Sequence, residues 1–102
     1  MVGELRKAEA ENVFRRVIRG YPVSREELIR AAQYFIFRSI RRTKAEKVWT
    51  DLGMGLDLLR EAGLPDIPDD ARKTWGPDPF RAANRACNWF HHHFKRLLKE
   101  GK

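Results

Sequence analysis

The sequence predicts an all-α fold: a small bundle of four main helices with a short extra helical turn in the 64–79 connection. Three observations predict it. Apolar residues recur at three- and four-residue spacing along four long stretches. Cap residues stand where those stretches begin. Four of the five prolines (Pro65, Pro68, Pro77, Pro79) gather in one connection.

The first helix is expected over about 3–19. Ala10, Val13, Phe14, Val17 and Ile18 form one stripe, Glu11 stands four residues before Arg15, and Gly20 and Pro22 end the helix. The second, over about 24–41, opens on a capping box of Ser24 and Glu27. Its core arc is Leu28, Ile29, Ala32, Phe35, Ile36 and Ile40, with Ser39 on the core side. The third, over about 43–63, opens on a second such pair, Thr43 and Glu46. The turn before it is so short that these two helices should run antiparallel. Gly53 and Gly55 fall inside the third helix, and Gly55 lies toward the stripe Val48, Leu52, Leu56, Leu59. Close approach of a neighbouring helix explains that glycine better than a phosphate loop, which would need a preceding strand. In the proline-rich connection a helical piece over about 69–75 closes at Gly76, and Ile67 and Trp75 pack back onto the bundle. The last helix starts at Asp78 as N-cap with Pro79 at its first position, continues to about residue 100, and buries Ala83, Cys87, Phe90 and Phe94.

Residues 1–102 read as one domain, without repeats or low-complexity tracts. With 34% charged residues and no long apolar run (31–37 is interrupted by Gln33), no membrane association is expected. The first residues lack the apolar stretch of a signal peptide, and Cys87 is a lone cysteine, so a reducing, cytoplasmic location is expected. The net charge of +7 favours nucleic acid or an acidic protein surface as partner. That charge is divided: residues 1–50 carry +6, residues 51–70 carry −5 and residues 71–102 carry +6.

Specific chemistry is scarce. His91, His92 and His93 are consecutive and point about 100° apart on a helix, so they cannot converge on one ion. Cys87 and His91 supply at most two ligands, and no metal or other cofactor is expected. Ser24 is used as a cap, Ser39 faces the core and Cys87 sits on a buried stripe, leaving no catalytic nucleophile. Arg85 and His91, five residues apart between them in the last helix of a small all-α domain, resemble the Arg-x(4–6)-His signature of HEPN-type ribonucleases. That resemblance implies a composite RNA-cleaving site built from the arginine and histidine of two subunits. On one helix the two residues project about 120° apart, so their convergence would need a symmetric homodimer.

The basic faces carry the stronger signal. Arg81, Arg85, Asn88, His92, Lys95, Arg96 and Lys99 project within an arc of about 100° on the last helix, with no acid between Arg81 and Lys99 and Trp89 at the flank. On the second helix, Tyr34 and Phe37 fall away from the core arc among Arg30, Arg38, Arg41 and Arg42, and Lys44 continues the patch. Aromatics among arginines suit unpaired bases, and they suit a protein interface equally well. The expected role is a small basic nucleic-acid-binding or ribonucleoprotein-accessory protein that grips phosphate backbone with little sequence specificity and catalyses nothing. The alternative is a protein-interaction module: a small regulator, an inhibitor or a complex subunit.

Overall fold

Burying an apolar stripe requires a facing helix, and in this chain one central helix faces three others. The computed structural model describes residues 5–100, with side chains through Phe94. Its elements are α1 (Lys7–Ile18), α2 (Arg25–Ser39), α3 (Ala45–Glu61), the short α4 (Ala71–Trp75) and α5 (Pro79–Glu100). Four main helices with an extra turn in the 64–79 connection is the architecture the sequence predicts. Among the described residues there is no strand, and no helix is long and apolar enough to cross a membrane.

Helix α2 packs against α1, α3 and α5. Its Ser24 Oγ accepts from the Glu27 amide at 3.2 Å while Glu27 Oε1 accepts from the Ser24 amide at 3.4 Å, so the expected capping box forms. Leu28, Ile29, Ala32, Phe35 and Ile36 are buried as expected, joined by Ala31. Ser39 is also buried, with its hydroxyl donating to the Ile36 carbonyl. Ile40 is the exception at 50% exposure, because the helix ends at Ser39 and the next residue leaves the arc.

Helix α1 starts at Lys7, with Glu9 accepting from the Arg6 amide at 2.9 Å, and the first two residues of the expected 3–19 helix lie outside the described residues. Ala10 and Val13 are buried, but Ile18 is 68% exposed: it is the last helical residue, and Gly20 (φ 81°) turns the chain away. Glu11 faces Arg38 on α2 at 3.8 Å instead of its own-helix neighbour Arg15. The second capping box does not form. Lys44 is the N-cap of α3 without a side-chain hydrogen bond, which leaves Thr43 one position too early.

Antiparallel pairing of α2 and α3 is visible in their contacts, since Arg42 and Arg38 reach Asp51 while the earlier Ile36 meets Gly55. A Cβ on Gly55 would lie 2.5 Å from Ile36 Cγ1 and 3.3 Å from the Ala32 carbonyl oxygen, whereas one on Gly53 would meet nothing within 4 Å. Ile36 is β-branched and fully buried, so it has little freedom to yield. The same substitution therefore has opposite signs at two positions only two residues apart. Gly53→Ala should raise stability by about 0.5–1 kcal/mol through helix propensity. Gly55→Ala should lower it by about 1–3 kcal/mol through overpacking. Urea unfolding of both variants checks the pair, and stabilisation by Gly55→Ala would show that α2 and α3 can separate at no cost.

The 64–79 connection is anchored at several points. Leu64 is buried, Arg60 on α3 donates to the Pro68 carbonyl at 2.6 Å, and the Arg72 guanidinium lies 4.8 Å from the centre of the Trp49 ring. Asp70 caps α4 by accepting from the Arg72 amide, and Gly76 (φ 98°) closes it. Trp75 is buried and Ile67 half-buried against the core. Helix α5 begins as its sequence indicates, with Asp78 Oδ1 accepting from the Phe80 amide at 3.0 Å and Pro79 at the first position.

Candidate nucleic-acid interface

The amphipathic pattern of α5 decides which of its side chains reach solvent. Ala82, Ala83, Ala86, Cys87, Phe90 and Phe94 are buried; Arg81, Arg85, Asn88 and His92 are exposed on the opposite side. Arg81 is the least constrained, with 76% of its side chain exposed and Asp78 at 3.9 Å. Arg85 is tied down at one end: its Nη1 donates to the Trp75 carbonyl at 2.8 Å, so it caps α4 as well as presenting charge. Trp89 is half-buried, its ring 5.5 Å from Trp75 and 5.1 Å from Phe94, which makes it a packing residue at the flank of the strip. Lys95, Arg96 and Lys99 lie on α5 but outside the described side chains.

The α2 patch is different from its sequence expectation. Tyr34 and Phe37 are half-buried against the core, Tyr34 edge-on to Phe35 at 5.4 Å and Phe37 edge-on to Phe90 of α5 at 5.7 Å. The side opposite the core arc is therefore not a free aromatic face, because α2 has neighbours on more than one side. Arg30 forms an ion pair with Glu26 at 2.7 Å. Arg38 and Arg42 converge on Asp51 of α3, whose carboxylate is fully buried: Arg38 Nη2 lies 2.7 Å from Oδ1 and Arg42 Nε 2.8 Å from Oδ2. Burial alone would depress the Arg38 pKa, but hydrogen bonding and charge from Asp51 hold it above its ordinary value. These two arginines neutralise an interior acid.

Asp51 is the residue that the charge pattern concealed, since it reads as the first acid of an acidic block. Its helical position was the available signal. At about 60° from Val48 it lies on the apolar arc of α3, where a carboxylate needs cationic partners.

Arg41 and Lys44 remain exposed, with Lys47 beside them on the first turn of α3. The charge of Arg41 is felt at the Cys87 thiol, on the buried side of α5. Burial pushes that thiol up to about 11, and its sulfur lies 3.3 Å from the Ile36 carbonyl, so Cys87 packs as a small apolar residue. His91 is exposed, and among the described residues no group of three His, Cys, Asp or Glu side chains is arranged to hold a metal ion.

The exposed cations that remain are those on the outer face of α5 and, after α2, Arg41 and Lys44. Comparison with protein-family models, with curated proteins and with solved structures finds no match to this chain. Its chemistry is therefore read from its own residues.

Proposed function

We propose that this chain binds nucleic acid through the outer face of α5, gripping the phosphate backbone with little sequence specificity and without cleaving it. The observation that supports this most is the exposed, acid-free run of Arg81, Arg85, Asn88 and His92 on α5. From Arg81 to Lys99 the helix extends about 27 Å, and one cation every turn or so matches the spacing of backbone phosphates. Helix-dipole stabilisation accounts for cations at a helix C-terminus but not for Arg81 and Arg85 near the N-terminal end, where positive charge is unfavourable. A ribonucleoprotein-accessory role fits the same surface.

The test is affinity for a mixed-sequence oligonucleotide measured across a salt series. The native protein should bind with a steep salt dependence. Arg41→Ala combined with Arg81→Ala should flatten the slope of log K against log salt by roughly 1–2 units, uniformly across sequences. Arg85 is left intact because its bond to Trp75 would confuse stability with binding. Labelled RNA should be retained and recovered uncut. Failure to bind any oligonucleotide at low salt, together with capture by an acidic polypeptide, would shift the partner to a protein surface.

A further inference from the structure

The basic strip has an unexpected neighbour. Where α5 passes the start of α2 and the 64–66 turn, a cleft of about 590 Å³ opens, within the usual size range of small-ligand sites. His92 of the strip lines it, so backbone-binding face and cleft are continuous.

Its wall is aromatic and held in place. His93 Nδ1 lies 2.8 Å from the Trp89 carbonyl oxygen, and the His93 ring lies 5.7 Å from the Trp89 ring at an angle of 37°. Trp89 is itself wedged against Trp75 and Phe94, so this two-ring layer cannot easily turn aside. Two charged groups border the cleft. Arg25 is the first residue of α2, and Asp66 adopts a left-handed backbone conformation (φ 60°) in the turn after α3. Among the described residues neither the Arg25 guanidinium nor the Asp66 carboxylate has a hydrogen-bond or ion-pair partner. Asp66 thus holds a backbone conformation that is uncommon for a non-glycine residue while its carboxylate has no partner among the described residues.

An aromatic layer, an acceptor-only carboxylate and a guanidinium in one cleft match a planar ring with two adjacent donors and an anionic group. Guanine is the base whose pairing edge offers two donors, N1–H and the N2 amino group, to one carboxylate. We propose that the cleft binds a guanine nucleotide, its base stacked on the His93–Trp89 layer, its donors on Asp66 and its phosphate on Arg25. That the nucleotide belongs to a strand lying on α5 rests on the nucleic-acid reading above; the cleft itself does not require it. The strand then carries one specific position in an otherwise sequence-tolerant contact.

Calorimetric titration with 5′-GMP and 5′-AMP tests the cleft. GMP should bind about tenfold more tightly than AMP. Asp66→Asn should erase that preference, since the amide tolerates the left-handed backbone but turns a donor toward the base. Asp69→Asn, the same charge change three residues away, should leave it intact. Arg25→Ala should weaken GMP but not guanosine. A second arm compares an oligouridylate with the same strand carrying one guanine, which should bind about tenfold more tightly unless Asp66 is changed. No GMP binding, or equal binding of GMP and AMP, overturns the inference, and salt-dependent oligouridylate binding would then leave the backbone interface standing. GMP binding without oligonucleotide binding supports the cleft and overturns the strand.

Discussion

Replacing Asp51 with alanine should be among the most destabilising single changes in this protein, at about 3–5 kcal/mol. Its carboxylate accepts from Arg38 Nε at 3.1 Å and Nη2 at 2.7 Å, and from Arg42 Nε at 2.8 Å and Nη2 at 3.4 Å. Removing it leaves two mostly covered guanidinium groups beside one another, with Glu11 at 3.8 Å from Arg38 as the remaining nearby anion. The midpoint of thermal unfolding should fall by more than about 12 °C for a chain of this size. Asp57→Ala is the matched comparison on the same helix. Asp57 is exposed and pairs with Arg60, so its loss should cost less than about 1 kcal/mol. If Asp51→Ala melted within a few degrees of the native protein, both arginines would be able to reach water, and they would rejoin the candidates for phosphate contact.

Trp75→Ala should cost about 3–5 kcal/mol, for a different reason. A five-residue helix cannot sustain itself, and α4 holds its place because Trp75 is buried against Trp89. Truncation removes that anchor and also the support behind the wall of the α5 cleft. Near-ultraviolet circular dichroism should lose intensity with the loss of the Trp75–Trp89 contact, while far-ultraviolet helicity falls only slightly. Arg85→Ala should cost about 1–2 kcal/mol by removing the charge-assisted bond to the Trp75 carbonyl. Unchanged stability in Trp75→Ala would mean that the connection is held by Arg60 and Leu64 alone.

Much of the architecture was legible because helix signals are local. Ser24 with Glu27, Asp78 with Pro79, and the stripe Val48–Leu52–Leu56–Leu59 each act within one or two turns of chain. Gly55 was legible too, since a glycine on an apolar stripe has few uses besides close helix approach, and Ile36 occupies the space its side chain would fill. Element ends were less so. Thr43 and Glu46 have capping-box spacing, yet α3 begins after Lys44, and Ile40 falls outside the helix whose stripe it would continue.

Local periodicity by itself determined an all-α chain, the order of its helices, the buried stripe of α5 and the polar face opposite it, because each follows from which side of a single helix is apolar. It did not determine the fate of α2. That helix is crowded on several sides, so Phe37 meets Phe90, and Arg38 and Arg42 turn inward to a carboxylate nine to thirteen residues ahead in the chain. Nor did it show the cleft, which joins the first residue of α2, a turn after α3 and the middle of α5. Charge along a sequence says how many cations there are; only tertiary packing decides which are neutralised inside and which still face solvent, because the desolvated acid that claims them comes from another helix.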